Sequence, residues 1–126
     1  MAEQGKGYRQ RLGQRGEDLA AEYLEERGYK VIDRNVRRRE GEIDLIATHQ
    51  KTLVIVEVKL RSSAQFGGAV EALTSAKQRR LRELAVGYSV DHPELPSDVR
   101  IDLIAIDLAA DGEVGEVQHV VSAIEG

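Results

Sequence analysis

The sequence predicts a single α/β domain in which helices flank a mixed central β-sheet, with the element order α-β-β-β-α-β-β. Two segments carry apolar residues at helical spacing, and five others are short runs rich in Ile and Val, as is typical of strands. The 126 residues contain no internal repeat or low-complexity linker, which favours one domain over residues 1–126. About residues 1–7 can form a flexible N-terminal tail.

The first helix is expected from about Tyr8 to Arg27, and Gly28 is well placed to end it. Gly13 and Gly16 lie on its apolar side, where the missing side chains would let another element approach closely. Glu17 lies along the border of that apolar side, because residues three and four apart share a helix face. Its carboxylate can therefore face the body of the domain.

Three strands and a basic loop are expected next. The strands cover Tyr29–Asp33, Gly41–Ala47 and Leu53–Lys59, and the loop after the first strand holds Arg37, Arg38 and Arg39. A loop containing Phe66 then leads to a second helix.

The second helix is expected over Ala69–Tyr88, and a segment with two prolines, His92–Ser97, ends it. Its apolar side is predicted to consist of Leu73, Ala76, Leu81, Leu84, Ala85 and Tyr88. Strands over Arg100–Leu108 and Val117–Ile124 complete the sheet.

The second and third strands bring two carboxylates together if an even-length loop, centred between Gln50 and Lys51, joins them. In that register Asp44 faces Glu57 on the neighbouring strand. Facing like charges destabilise a sheet, and a buried carboxylate costs several kcal/mol unless it is compensated. The pair therefore predicts a site for a divalent cation, with Lys59 one same-face step beyond Glu57. An odd-length loop would spoil this alignment, and Gln-Lys is not a strong two-residue turn sequence.

Such a site suits Mg²⁺, with Mn²⁺ as the alternative, because both take oxygen ligands. The carbonyl of Val58 and the carboxylate of Glu17, directly or through a water, are candidate further ligands. Lys59 could orient an attacking water or neutralise charge on a phosphate. The competing interpretation is a surface ion pair between Lys59 and either Glu57 or Glu42. Apolar residues on both faces of the third strand argue against it.

Basic residues are candidates for nucleic-acid binding, although the formal net charge is −4. Of the 18 Lys and Arg residues 17 lie before residue 83, whereas 10 of the 22 acids lie from residue 83 onward, which is compatible with a basic face. Phe66 could stack on a base, and packing of its loop is the alternative. A solvated loop and helix face are likewise alternatives for the basic residues. The candidates are Arg37, Arg38, Arg39, Arg61, Lys77 and Arg80.

Composition excludes several classes of protein. With no cysteine, the chain can form neither disulfides nor thiolate metal sites. No apolar run approaches the roughly 20 residues of a membrane span, and no secretory signal is visible, so we expect a cytoplasmic protein without a membrane partner. The three histidines, His49, His92 and His119, lack metal-ligand spacing and are expected to be non-catalytic. Asp102 is expected to have a structural role.

Several motifs in order resemble the YraN-type family, small bacterial proteins that are mostly uncharacterised. The resemblance covers nearly the whole chain, and Ile101 stands where the family more usually has an aromatic residue. The motifs are Gly13-x-x-Gly16-Glu17, Gly28-Tyr29, Asn35-x-Arg37, Gly41-Glu42-Ile43-Asp44-Leu45-Ile46-Ala47, Val56-Glu57-Val58-Lys59-x-Arg61, Phe66-Gly67 and Arg100-Ile101-Asp102.

The YraN-type family is in turn similar to the PD-(D/E)XK nuclease superfamily, which includes restriction endonucleases and Holliday-junction resolvases. The resemblance implies a restriction-endonuclease-like fold in which Asp44 stands for the motif's Asp, and Glu57 and Lys59 for its (D/E)XK. Glu17 matches the helix glutamate of the resolvase-like branch. Ile43 stands at the motif's Pro, a variation that the superfamily tolerates.

The leading hypothesis is therefore a Mg²⁺-dependent endonuclease that hydrolyses phosphodiester bonds in DNA, with branched or damaged DNA as candidate substrates. One rival is a nucleic-acid-binding module that keeps the fold without the chemistry. The other is a protein-interaction adaptor that uses the acidic C-terminal third. Many resolvase-like enzymes act as dimers, so the resemblance leaves a homodimer open.

Overall fold

The chain forms one five-stranded mixed sheet with a helix on each face, and the predicted α/β class and element order are confirmed. The computed structural model describes residues 2–62, 73–109 and 111–124, with side chains over residues 13–61 in the first range. The elements are α1 (Ala2–Glu26), β1 (Lys30–Arg38), β2 (Gly41–His49), β3 (Thr52–Ser62), α2 (Ser75–Asp91), β4 (Asp98–Leu108) and β5 (Val114–Ile124).

The strands lie in chain order across the sheet, β1-β2-β3-β4-β5. Among the described strands, the β3–β4 pair is parallel and the other pairs are antiparallel, and α2 lies in the connection between β3 and β4. One apolar cluster joins α1 to Leu45, Val54, Val56 and Ile104, and another joins α2 to the opposite sheet face. In the described part of the chain, no helix is both long and apolar enough to cross a bilayer.

Helix α1 begins earlier than predicted and ends as predicted. Its backbone is helical from Ala2, so residues 2–7, which were assigned to a tail, belong to the helix. At the other end Gly28 has a φ of +88°, and the Gly28 and Tyr29 amides donate to the Glu25 and Leu24 carbonyls. This left-handed cap favours glycine because it lacks a Cβ.

The close approach expected at the helix glycines occurs at Gly16 alone. A Cβ on Gly16 would lie 2.9 Å from a methyl group of Leu60 on β3, whereas a Cβ on Gly13 would have no neighbour within 4 Å. The backbone of α1 therefore lies directly against β3 at Gly16, which brings the next residue, Glu17, to the sheet.

The strands are longer than predicted. Strand β1 continues to Arg38, so two of the three residues expected in a basic loop lie in the strand and only Arg39 lies in the turn. The pairs Arg37–Glu42 and Arg38–Gly41 extend the hairpin to its tip. Charged residues fit there because the tip of an antiparallel hairpin can face water.

Helix α2 begins at Ser75, later than predicted, because Thr74 caps it: the Lys77 amide donates to Thr74 Oγ1 at 3.2 Å. Leu73 is buried ahead of the helix, and Ala76 is exposed, so neither belongs to its apolar side as predicted. The other four predicted side chains are buried. The predicted start at Ala69 and the role of Phe66 lie outside the described residues.

Candidate functional site

The predicted register of the β2–β3 hairpin is confirmed. Ile46 pairs with Ile55 and Thr48 with Leu53, around a two-residue turn in which Gln50 has a φ of +56°. The ladder runs as far as Leu45–Val56. Asp44 and Glu57 are the next residues in this register, at the end of the paired segment.

Beyond the last ladder pair, a side chain links the two strands. The Val58 amide donates to Asp44 Oδ2 at 2.8 Å, which fixes the orientation of that carboxyl group. The Glu57 carboxyl group lies close enough to Asp44 to raise the pKa of the Asp44 carboxyl group. The predicted convergence of the two carboxyl groups is therefore present in the structure.

The strand alternation changes at Asp44. Leu45 packs in the α1-side cluster, but Ile43 and Ile46 both pack in the α2-side cluster, although residues three apart in a regular strand point to opposite faces. On β1 the residue opposite Asp44 is Asn35, whose φ of +51° is left-handed. Both strands therefore bend at this position, and the Asp44 carboxyl group lies where α1 and α2 can both reach it.

Burial and the neighbouring carboxylate raise the pKa of Asp44 to about 8. Burial makes the largest contribution, followed by the hydrogen bond to Glu57 and the repulsion from its charge. The Val58 amide and the positive charge of Lys77 on α2 act in the opposite direction. Without a cation, the Asp44 carboxyl group is therefore mostly protonated at neutral pH.

Two further carboxylates, those of Glu17 and Glu42, lie close to Asp44. Oxygens of Glu17, Glu42 and Asp44 lie within 4.8 Å of one another. Burial raises the pKa of Glu17, and the charges of Asp44 and Glu42 raise it further, against a hydrogen bond from Asn35. Three acidic oxygens this close repel one another unless a proton or a cation lies between them.

Glu42 was missed as a site residue. A regular hairpin would place Glu42 opposite Lys59, so the sequence indicates Glu42 as an ion-pair partner of Lys59. Glu42 lies two residues before Asp44, and this spacing could have predicted that it belongs to the site, since alternate residues of a strand share a face. Its carboxylate is exposed at the edge of the site and lies 4.0 Å from the Arg37 guanidinium.

Lys59 lines a pocket of about 280 Å³ together with Glu17, Asp44 and Val58. The ion pair with Glu42 or Glu57 that was the competing interpretation is absent among the described residues. The pocket thus places the Glu17 and Asp44 carboxyl groups beside β3 on the α1 side of the sheet. Gly13 forms part of its wall.

Three of the six candidate basic residues are engaged in ion pairs, and two of these, Arg38 and Arg61, are largely buried. Arg38 lies 2.9 Å from Asp91 and 3.7 Å from Glu40, with 22% of its side chain exposed. Arg61 donates to Asp107 at 3.0 Å with 16% exposed. Asp91 and Asp107 lie far away in sequence from Arg38 and Arg61, so these two pairs could not be anticipated. Both guanidinium groups are less accessible to a phosphate than the sequence suggested.

The other four basic candidates lie around the site. Arg37 is 87% exposed and Arg39 is exposed at the hairpin tip. Lys77 on α2 is close enough to Asp44 to lower the pKa of its carboxyl group. The exposed Arg80 extends its side chain over Gly41, where a Cβ would lie 2.9 Å from Arg80 Cδ. A basic rim therefore borders the carboxylates on the hairpin and α2 side.

Asp102 lies outside this pocket and is fully buried. Arg100 donates to both of its oxygens at 2.9 and 3.0 Å, and His119 and the Ser122 amide lie 2.8 and 3.0 Å away. Burial raises the pKa of Asp102, but the hydrogen bonds from His119, Arg100 and Ser122 outweigh it and leave the pKa below its usual value. This network joins β4 to β5.

The remaining histidines also make structural contacts. His49 stacks on Tyr29 with ring centroids 4.0 Å apart, and His92 stacks on Tyr88 at 4.2 Å. Neither histidine lines the pocket that holds Asp44. Their expected absence from the chemistry stays a prediction.

Comparison with known proteins identifies the family of this chain. The model of the uncharacterised protein family UPF0102 matches residues 16–106, which include Glu17, Asp44, Glu57 and Lys59. The chain belongs to UPF0102. The expected membership of the YraN-type family is thereby confirmed, while the likeness of this UPF0102 protein to nucleases stays a prediction.

Curated UPF0102 relatives align along most of the chain. A UPF0102 protein of Renibacterium salmoninarum is 47% identical over 109 residues, 86% of this chain and 92% of the relative. One of Clavibacter michiganensis is 50% identical over 97 residues, 77% of this chain and 82% of the relative. One of Geobacter sulfurreducens is 41% identical over 122 residues, 97% of this chain and 94% of the relative.

Proposed function

We propose that this UPF0102 protein is a metal-dependent endonuclease that hydrolyses phosphodiester bonds in DNA, with branched or damaged DNA as candidate substrates. The observation that carries the proposal is the pair of carboxyl groups, Asp44 and Glu57, at the end of the β2–β3 ladder, with Lys59 at the adjoining pocket. The resemblance of the motifs to PD-(D/E)XK nucleases supports the same chemistry.

The donor groups fit Mg²⁺ or Mn²⁺. Asp44 has carboxyl neighbours on two sides: Glu57 is close enough to raise its pKa, and an oxygen of Asp44 lies within 4.8 Å of oxygens of Glu17 and Glu42. All these ligands are oxygens, which hard divalent cations prefer, and the Val58 carbonyl is a further predicted ligand. A bound cation would polarise a phosphoryl oxygen and lower the pKa of a water.

The side chains of the site have distinct roles in this proposal. The Val58 amide holds one Asp44 oxygen, so the other oxygen and the Glu57 carboxylate remain to bind. Lys59 stabilises the negative charge that develops on the phosphate during in-line attack, because an ammonium group is a compact point charge. Glu17 reaches the site from α1 and supports it from the opposite layer.

The basic rim supports a nucleic-acid substrate. Arg37, Arg39, Lys77 and Arg80 would contact the phosphates on either side of the cleaved bond. Such contacts carry no sequence information and would suit a substrate that is recognised by its shape. The rim supports a nucleic-acid partner, and the choice of DNA rests on the resemblance of the motifs to PD-(D/E)XK nucleases.

The decisive experiment is a cleavage assay on branched, single-stranded and duplex DNA with Mg²⁺ or Mn²⁺. Asp44→Asn and Lys59→Gln are each expected to lower the rate about 100-fold or more, because each removes a charge used in the transition state. Asp111→Asn and Lys30→Gln remove the same charges at exposed positions outside the pocket and should cleave like the wild type. Equal rates in all four variants would assign the cleavage to a contaminant.

The binding-module alternative is favoured by the same basic rim and makes a different prediction. It expects salt-dependent DNA binding without cation-dependent cleavage. Removing Arg37 and Arg39 together should lower the slope of log affinity against log salt by about two, whereas removing Arg38, which is already paired, should change it little. The absence of any affinity at low salt would favour the adaptor instead.

A further inference from the structure

One row of residues on α2 faces the tip of the β1–β2 hairpin. The row consists of Arg80, Leu84, Gly87 and Asp91, all of which lie within the helix. Their spacings of four, three and four are those of residues that share a helix face. We call them the α2 row. Leu84 is fully buried, whereas Arg80 and Asp91 are exposed at the two ends of the row.

The hairpin tip and the α2 row contact each other through two arginines and two glycines. Arg38 and Gly41 pair directly across β1 and β2. A Cβ on Gly87 would lie 2.8 Å from Arg38 Nη2, so the Arg38 guanidinium rests on the helix backbone. A Cβ on Gly41 would lie 2.9 Å from Arg80 Cδ and 3.7 Å from a methyl group of Leu84, so the stem of Arg80 rests on the hairpin backbone. We call these reciprocal contacts the arginine–glycine clasp.

Asp91 holds the end of the Arg38 side chain. Its carboxylate lies 2.9 Å from Arg38 Nη2, and 22% of the Arg38 side chain is exposed. Arg38 Nε is buried and has no hydrogen-bond partner among the described residues. Burying a donor in this way costs free energy, which the Asp91 pair and the packing on Gly87 must offset. Arg38 is therefore arranged to join two elements of the fold and not to contact a phosphate.

The clasp lies between the basic rim and the carboxylates. Arg37 and Arg39 of the rim flank Arg38 in the chain, and Glu42 of the carboxylate cluster follows Gly41. Arg80 belongs to both, because its stem covers Gly41 while the residue as a whole is exposed. The clasp thus sets the distance between the rim residues on the hairpin and those on α2.

We propose that the clasp positions the basic rim for nucleic acid, with Arg38 acting through Gly87 and Asp91 and not by contact with DNA. This inference rests on the proposed function, because it requires the rim to bind DNA. With the hairpin and α2 held together, the rim cations are in place before DNA arrives. Binding then loses less conformational freedom than it would with an unclasped hairpin, which raises the affinity.

Gly87→Leu tests the clasp without changing any charge. Its Cβ displaces the Arg38 guanidinium, and leucine favours helices, so α2 itself should remain intact. Affinity is measured with fluorescein-labelled branched DNA in EDTA over a range of salt concentrations. Binding should be about five- to tenfold weaker with the same slope of log affinity against log salt, because no phosphate contact is lost. Val86→Leu, an apolar change at an exposed neighbour outside the α2 row, should bind like the wild type.

Asp91→Asn gives a prediction of opposite sign to that of simple electrostatics. Neutralising an acidic side chain ordinarily leaves DNA binding equal or tighter, as expected for Asp98→Asn at an exposed position on β4. Asp91→Asn should instead weaken binding about three- to fivefold, because it releases Arg38 from the clasp. Asp91→Glu keeps the charge and should bind like the wild type. These variants test the proposal even if Gly87→Leu does not fold, which circular dichroism and the melting temperature show.

Amide hydrogen exchange without DNA measures the clasp itself. Residues 37–42 should exchange faster in Gly87→Leu and Asp91→Asn than in the wild type, whereas the β2–β3 hairpin should be unchanged. Faster exchange without weaker DNA binding would overturn the proposal, as would unchanged exchange or a wild type that binds no DNA at low salt. A salt slope lower by about one in Gly87→Leu would also overturn it, because Arg38 would then be a phosphate contact. Binding in EDTA needs no cleavage, so a chain that binds but never cleaves would refute the endonuclease and leave the clasp supported.

Discussion

Replacing Asp44 by Asn is expected to change how the stability of the protein depends on pH. The folded chain raises the pKa of this carboxyl group from 3.8 to about 8, so the folded state holds its proton more tightly than the unfolded state. The resulting stabilisation is complete below the unfolded pKa and is lost as the pH rises toward the folded pKa. Asn is neutral throughout and can still accept the Val58 hydrogen bond.

The magnitude follows from one proton per molecule. Its loss changes the free energy of unfolding by about 1.4 kcal/mol per pH unit, so the wild type should lose about 2.7 kcal/mol relative to Asp44→Asn over two pH units. Urea unfolding followed by circular dichroism at pH 5.5 to 7.5, in a chelator, measures this difference. Glu57→Gln should weaken this dependence without removing it, because burial makes the largest contribution to the raised pKa of Asp44 and persists in that variant. A difference between the wild type and Asp44→Asn that stays constant with pH would refute the raised pKa.

Three other outcomes follow from the structure. Mg²⁺ should raise the melting temperature of the wild type more at pH 8 than at pH 6, because the cation competes with a proton for the Asp44 carboxyl group. The melting temperature of Asp44→Asn should not change with Mg²⁺. A larger shift at pH 6 than at pH 8 in the wild type would contradict this. Gly16→Ala should destabilise the chain by about 1–3 kcal/mol in urea, because its methyl group meets Leu60, whereas Gly13→Ala should be neutral or stabilising. Asp102→Ala should lower the free energy of unfolding by about 3–5 kcal/mol, because it leaves the hydrogen-bond partners of Asp102 unpaired. A decrease below about 1 kcal/mol would count against a stabilising role of this network.

The site was predictable where its geometry depends on neighbours in sequence. The β2–β3 hairpin has a two-residue turn, so its register follows from the loop length and the apolar pattern. That register alone placed Asp44 beside Glu57. The position of Glu17 at the site was predictable from the helical spacing of α1.

The parts that were not predictable depend on distant partners or on local bends. Arg38 and Arg61 are paired with Asp91 and Asp107, which are more than 40 residues away in the chain. The position of Glu42 depends on the bend at Asn35, because a strand pattern assumes unbroken alternation. A single sequence carries no direct signal for either.

Strand β3 has two neighbours in the sheet, and the chain segments that connect β3 to these neighbours differ in length. On one side β3 pairs with β2 across two residues, and on the other it pairs with β4 only after residues 63–97 have been traversed. Closing the longer connection costs more entropy before it gains contacts. We expect the hairpin that carries both carboxylates to become ordered early in refolding, and the parallel pairing with β4 to form late.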